Sequence, residues 1–227
     1  MGNPNSQGSF THLALPKHVL IVLLRLFFYL LYHQFAWTYD LVAFIVSTGA
    51  WQSWVKSVLP YLKGPRTLEI GFGPGHLLFK LQQESVAAFG LDESSQMAHI
   101  ARRRILAINQ HPNLIRGRAE YLPFATESLH QVVMTFPAEF LLKQTTFSEI
   151  KRVLLSGGSA IVLPIAWITG RKPWERAAAW LNQITGQAPE WDERLLQPLK
   201  NLGFDITWKM VDFASSRVLI VQLTKTS

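Results

Sequence analysis

Apolar positions along the chain fall into two regimes, and the change comes at Pro65. Before it they form unbroken stretches, Val19 to Tyr32 (VLIVLLRLFFYLLY) and then Leu41 to Trp51. After it short apolar runs alternate with segments of helical period. Thr67–Gly71, Val86–Leu91, Asn113–Arg116, Gln131–Phe136 and Ser159–Pro164 read as strands. Between them His76–Gln83, Ser94–Ile108 and Thr145–Leu155 read as helices. Met97, Ala101, Ile105 and Ile108 make one stripe of the second helix, and Ser156-Gly157-Gly158 stops the third. Strand–helix alternation with mostly apolar strands predicts a parallel sheet covered on both faces.

The last part of the chain is patterned differently. Trp174–Ile184, closed by Gly186, and Glu190–Asn201, with a break point at Pro198, read as helices. Ile206–Phe213 and Arg217–Leu223 read as strands joined only by Ala214, Ser215 and Ser216. A connection that short requires an antiparallel pair. The expected fold is α/β: a Rossmann-like sheet of seven mostly parallel strands, the last two antiparallel, with helices on both faces. Residues 1–16 read as a mobile tail, 17–62 as a hydrophobic helical cap and 63–227 as the α/β domain.

Composition sharpens this picture. Apolar residues make up 48% of the 227 and charged residues only 16%, which excludes a disordered chain. Cysteine is absent, so there is no disulfide framework, thiolate metal site or cysteine nucleophile. The seven histidines show no helical pairing with an acid between them, and no metal site is expected. A net charge of +7 suits an anionic partner, either a membrane surface or nucleic acid.

The stretch Val19–Tyr32 is 14 residues long, short of the roughly 20 that span a bilayer, and Arg25 sits at its middle. Its flanks do not fit a cleaved signal peptide. Two readings stand side by side. The helix packs on the domain and roofs a pocket, or it lies in a membrane interface with Lys17 and Arg25 at the headgroups. A cytoplasmic protein with peripheral contact to an anionic membrane follows from the second.

The chemistry is concentrated in Glu69-Ile70-Gly71-Phe72-Gly73-Pro74-Gly75, between a predicted strand and a predicted helix. Glycines let the backbone turn sharply and approach a ligand. In an open parallel sheet this is the carboxyl end of a strand, where ligands bind. Asp92 ends the next strand, where a carboxylate can accept hydrogen bonds from a ribose diol. The third glycine follows the second by two residues, one fewer than in the dinucleotide fingerprint. Glu69 would repel a pyrophosphate but suits an ammonium group. A ligand with a cationic amino-acid part, a ribose and an adenine fits these residues, and S-adenosylmethionine is that ligand.

Thr67 to Pro164 resembles the methyltransferase domain of class I S-adenosylmethionine-dependent enzymes, the ubiquinone/menaquinone-biosynthesis group above all. The matching pieces are LEIGFGPG (68–75), GLDESSQM (90–97), AEYLPF (119–124) and EIKRVLLSGG (149–158), in order and at the right spacing. Tyr39-Asp40 is similar to a pair that those enzymes carry upstream.

The resemblance implies that Gly71, Gly73 and Gly75 form the loop beneath the methionine part, with Phe72 among them. Glu69 sits near the amino group, Asp92 holds the ribose hydroxyls with Glu93 beside it, and Met97 packs on the adenine. Ala119 offers its N–H to the adenine ring, with Glu120 adjacent. Thr135 and Phe136 border the methyl-donor pocket, and Tyr39 closes over the cofactor. Two positions depart from the pattern. Arg118 stands where the family usually has the acid that holds the exocyclic amine of adenine. His130 or Gln131 replaces an aspartate near the start of the fourth strand, which weakens a structural contact.

Methyl transfer is a direct displacement, and a base is needed only if the nucleophile must lose a proton. Tyr39, His33, His76 and Glu139 are the candidates. Arg102-Arg103-Arg104 reads as a solvated helix face, and Trp174, Trp180 and Trp191 as core or lid residues. Thr135-Phe136-Pro137-Ala138 is unlike the NPPY signature, which argues against amino-methylation of nucleic-acid bases. The expected acceptor is a small hydrophobic molecule, such as a lipid or a quinone precursor. The alternatives are an NAD(P)-dependent oxidoreductase on the same sheet and a non-catalytic or nucleic-acid-binding module.

Overall fold

The computed structural model describes residues 39–84, 86–137, 143–184 and 191–226. Val19–Tyr32, His33 and Glu139 lie outside the described residues, as does the side chain of Tyr39. Strands β1 (Arg66–Ile70), β2 (Ala87–Asp92), β3 (Leu114–Arg116), β4 (Leu129–Thr135) and β5 (Leu154–Leu163) lie in the order β3-β2-β1-β4-β5, all parallel. These are the five predicted strands, within a few residues. β5 starts earlier than expected because the chain enters it directly from helix α5 (Gln144–Val153), and a register shift against β4 absorbs the extra residues.

Beyond β5 come β7 (Phe204–Asp212) and β8 (Ser216–Lys225), antiparallel to one another as the short connection requires. β8 runs antiparallel to β5. The structure adds one short strand, β6 (Ala166–Ile168), which also pairs with β8. β7 occupies one edge of β8 along its whole length, so β5 and β6 share the other edge. β6 continues the line of β5, and the sheet keeps seven positions across its width.

The central strands are buried on both sides, as their apolar runs require. On one face Leu68, Ile70, Val132, Met134 and Ala160 pack against Phe147, Ile150 and Val153 of α5. On the other, Val133, Ile161 and Leu163 pack against α2 (Trp51–Lys56) and α3 (His76–Gln83). Helix α4 (Ser95–Leu106) adds Ala101 and Ile105 to that side, and α6 (Pro173–Ile184) adds Ala178 and Ala179. The Ser94 hydroxyl caps α4 by accepting the Met97 N–H at 3.2 Å. Near the C-terminus a 3₁₀ turn (Glu193–Leu196) leads into α7 (Gln197–Asn201), where Pro198 sits in the first turn and does not break a longer helix.

The described part of the cap is α1 (Tyr39–Val46), α2 and a 3₁₀ turn (Leu59–Tyr61). Trp54 anchors it: the side chain is buried and its Nε1 donates to Ser216 Oγ at 2.8 Å. Gln131 ties the cap's exit to the sheet. Its Oε1 accepts from Gly64 N–H at 2.5 Å, and its Nε2 donates to Tyr61 O at 2.7 Å and Ser159 Oγ at 3.3 Å. The expected loss of a contact here is therefore made good by the amide.

Candidate functional site

The carboxyl ends of β1, β2 and β4 converge on the loop Gly71–Gly75. β1 ends at Ile70, and Gly71 N–H donates to Leu91 O of β2 at 2.7 Å. Gly71, Gly73 and Gly75 all hold positive φ, at 73°, 50° and 76°. Glycine is required twice over at Gly75, since a Cβ there would lie 2.7 Å from Ala101 Cβ. At Gly73 a Cβ would meet nothing within 4 Å, so the loop borders open space on that side.

Asp92 pins the loop. Its Oδ2 accepts from Gly73 N–H at 2.9 Å and its Oδ1 from Ser94 N–H at 2.8 Å. Glu69 lies beneath the loop with only 2% of its surface exposed. Its Oε2 has no hydrogen-bond partner among the described residues. Burial pushes its carboxyl well above the ordinary range; the Leu78 N–H pulls the other way and the nearby Asp92 charge adds to the rise. A buried acceptor without a donor is costly, and a cationic group would relieve it.

Phe72 and Met97 are enclosed by protein. Ala119 is buried as well. Glu93 is half-exposed and lies 3.6 Å from Arg118. Arg118 also reaches Glu120 Oε1 at 3.1 Å, and Lys143 reaches the same oxygen at 2.9 Å. Lys143 first, with Arg118, holds the Glu120 carboxyl down to about 2. The arginine that replaces the family's acid is thus spent on two neighbouring carboxylates.

At the end of β4 Thr135 is half-buried, and Phe136 takes a left-handed φ of 49°, a conformation non-glycine residues rarely hold. Two contacts fix it there. Its N–H donates to Leu163 O at 2.7 Å, and its ring stacks on Trp51 with centroids 4.5 Å apart. Trp51 belongs to the cap, so the cap reaches the strand end where ligands bind.

A second link joins cap and loop. Asp40 on α1 pairs with His76 Nε2 at 2.7 Å and accepts from Arg104 Nη2 at 2.9 Å. Arg104 Nη1 also donates to Pro74 O at 2.5 Å. Arg102 and Arg103 are exposed as expected, but Arg104 is not part of a solvated face; the loop and Asp40 draw it in. Between α1 and α6 lies a cavity of about 470 Å³ lined by Phe44, Ile45, Val46, Thr48, Trp174, Ala177 and Ala178. The Trp51–Phe136 pair and Ala178 belong to one apolar cluster beside it. Trp174 and Trp180 are exposed, whereas Trp191 packs edge-on against Trp208.

Residues 67–158 match the family model for a methyltransferase domain. The chain is 26% identical over 149 residues to a ubiquinone/menaquinone biosynthesis C-methyltransferase of Blochmanniella floridana, covering 62% of this chain and 59% of the relative. It is 30% identical over 157 residues to a demethylmenaquinone methyltransferase of Symbiobacterium thermophilum, covering 64% of this chain and 60% of that one. Residues 67–158 thus form a methyltransferase domain, similar to that of the class I S-adenosylmethionine-dependent methyltransferases. The fold agrees: a SAM-dependent methyltransferase of Thermotoga maritima superposes with a TM-score of 0.58 at 20% identity, over 92% of this chain and 99% of that one. The chain spans about three fifths of the length of the curated relatives it matches.

The residues present fit S-adenosylmethionine. Glu69 offers an unpartnered buried carboxylate oxygen for an ammonium group, and Gly73 leaves room for a ligand against the backbone. The described residues hold no cluster of groups able to bind a metal ion.

Proposed function

We propose that this protein transfers a methyl group from S-adenosylmethionine to a small apolar acceptor, a quinone precursor or a similar molecule. The observation that carries the reading is the Glu69 carboxylate, buried and short of a donor beneath a glycine loop. The loop would need no such charge for a pyrophosphate, which disfavours the nicotinamide alternative. S-Adenosylmethionine supplies a methyl group activated on a sulfonium centre.

In this reading Glu69 takes the ammonium of the methionine part, and Gly71, Gly73 and Gly75 give it a close-fitting backbone. Asp92, at the carboxyl end of β2 beside the loop, accepts from the ribose hydroxyls. Ala119 meets the adenine ring through its N–H, while Glu120, Glu93 and Arg118 form the polar rim. Thr135 and Phe136 face the methyl group, with Trp51 behind them.

The acceptor enters by the cleft between α1 and α6, whose lining is apolar apart from Thr48. The curated relatives are named for quinone biosynthesis, which supports an apolar aromatic acceptor. The chain's work is alignment and exclusion of water, worth several orders of magnitude for a displacement between two bound partners. His76, held by Asp40, fastens the start of α3 beside the loop. Isothermal titration tests the reading: S-adenosylhomocysteine should bind at micromolar concentration and NADH should not. Binding of NADH alone would overturn it.

A further inference from the structure

We propose that the face formed by α1 and α6 is a docking surface for an anionic lipid bilayer, onto which the acceptor cleft opens. The proposal rests on the acceptor reading above for its purpose, but not for its geometry.

Helix α1 and the turn after it have an inner and an outer side. Ala43 and Ser47 face inward and are buried. Leu41, Phe44 and Ile45, at spacing i, i+3 and i+4, share the opposite face and are 60–62% exposed. Across the cleft Trp174 of α6 is 59% exposed, and it lines the cleft together with Phe44 and Ile45. Four large apolar side chains therefore form one outward patch, beyond the singly scattered exposure normal for a water-facing surface.

The charges around the patch are of one sign. Arg171, Lys172 and Arg176 are exposed at the start of α6. Glu175, the acid among them, is turned inward: it is buried and accepts from Lys172 N–H at 2.9 Å. Asp40, the only charge on α1, is tied down by His76 and Arg104. Lys172 Nζ lies 5.2 Å from the centre of the Trp174 ring. Tryptophan beside lysine and arginine, at the border of an apolar face, is the side-chain chemistry of the headgroup layer. Three cations that face no acid among the described residues suit phosphate headgroups and not an apolar protein surface.

The sequence also carries a second apolar, basic stretch close to α1. Val19–Tyr32, with Lys17 and Arg25, precedes α1 by only a few residues. No helix among the described residues is long and apolar enough to cross a membrane. An apolar acceptor dissolved in the bilayer would then reach the cleft without crossing water.

The test is sedimentation of the full chain with phosphatidylcholine vesicles and with mixed phosphatidylcholine–phosphatidylglycerol vesicles, at low and high salt. Wild type should bind the mixed vesicles, and salt should weaken binding. Leu41→Gln and the triple reversal Arg171→Glu/Lys172→Glu/Arg176→Glu should each lower that binding, the triple variant at least tenfold. Both variants should bind S-adenosylhomocysteine as wild type does, which shows that they fold. No binding of wild type to mixed vesicles overturns the proposal. So does undiminished binding by the triple variant, or loss of binding only in Phe27→Gln/Phe28→Gln, which would make the upstream stretch the anchor. Vesicle binding without any uptake of S-adenosylhomocysteine would overturn the cofactor reading and leave the docking surface standing.

Discussion

Asp40 and His76 meet at 2.7 Å, although they lie 36 residues apart in sequence. The contact joins the first helix of the cap to the residue that follows the glycine loop. Arg104 closes the arrangement by holding Asp40 and the carbonyl of Pro74 together. Cap and glycine loop are thereby fastened to each other.

Asp40→Asn should loosen that fastening in a pH-dependent way. The His76 hydrogen bond, helped by Arg104 and opposed by partial burial, holds the Asp40 carboxyl below its ordinary value. A carboxylate lowered on folding stabilises the fold above its unfolded pKa, and the gain is lost as pH falls through the folded value. The pair is half-exposed, so the gain is about 0.5 kcal/mol, or roughly 1–2 °C in Tm. Thermal unfolding of wild type and variant should differ by that amount from neutral pH to about pH 5 and converge below about pH 4. A difference unchanged at pH 3 would contradict the ion pair.

Glu69→Gln should stabilise the ligand-free protein and weaken cofactor binding together. The Glu69 carboxyl is raised by burial, so its contribution is fully present below its unfolded pKa and is lost as pH rises through the folded value. At pH 8 the amide should add about 1–2 kcal/mol of stability. Affinity for S-adenosylhomocysteine should fall at least tenfold, since an ammonium then meets no charge. Wild type should also release a proton on binding, which titration in buffers of different ionisation enthalpy will detect.

Gly73→Ala and Gly75→Ala should separate binding from folding. A methyl at Gly73 meets open space, so the variant folds with only the left-handed penalty of about 1–2 kcal/mol and loses cofactor affinity. A methyl at Gly75 runs into Ala101 of α4, so that variant loses a further 1–3 kcal/mol, roughly, from overpacking. Chemical denaturation beside ligand titration distinguishes the two patterns.

Gln131→Leu should do the reverse. It removes two hydrogen bonds between the cap's exit and the sheet and a third to Ser159 of β5, at a cost of about 2–4 kcal/mol. Gln131 stands near the start of β4, away from the strand end that carries Thr135 and Phe136. Cofactor affinity of the folded fraction should therefore stay within about twofold of wild type.

Much of this was legible in the sequence because the signals were local. The five parallel strands are apolar runs, and the Glu69–Gly75 spacing set the loop apart from a dinucleotide site before any coordinates. The antiparallel pair follows from a three-residue connection. What escaped depends on distant partners. β6 exists because β8 extends past the end of β5 and offers it an edge. Arg104 is identical in type to Arg102 and Arg103, and only the placement of Asp40 distinguishes it. The left-handed Phe136 and its stack on Trp51 bring together residues 85 positions apart, which no period in the sequence reports.

The measurement that bears most directly on the account is titration of S-adenosylhomocysteine into wild type, Asp92→Ala and Asp92→Asn. Asp92 both pins Gly73 and Ser94 and, in this account, holds the ribose. Micromolar binding by wild type and a loss of at least tenfold in both variants, with circular dichroism unchanged, is the predicted result. No binding by wild type, or binding undisturbed in Asp92→Ala, would contradict the assignment of this loop as the cofactor site.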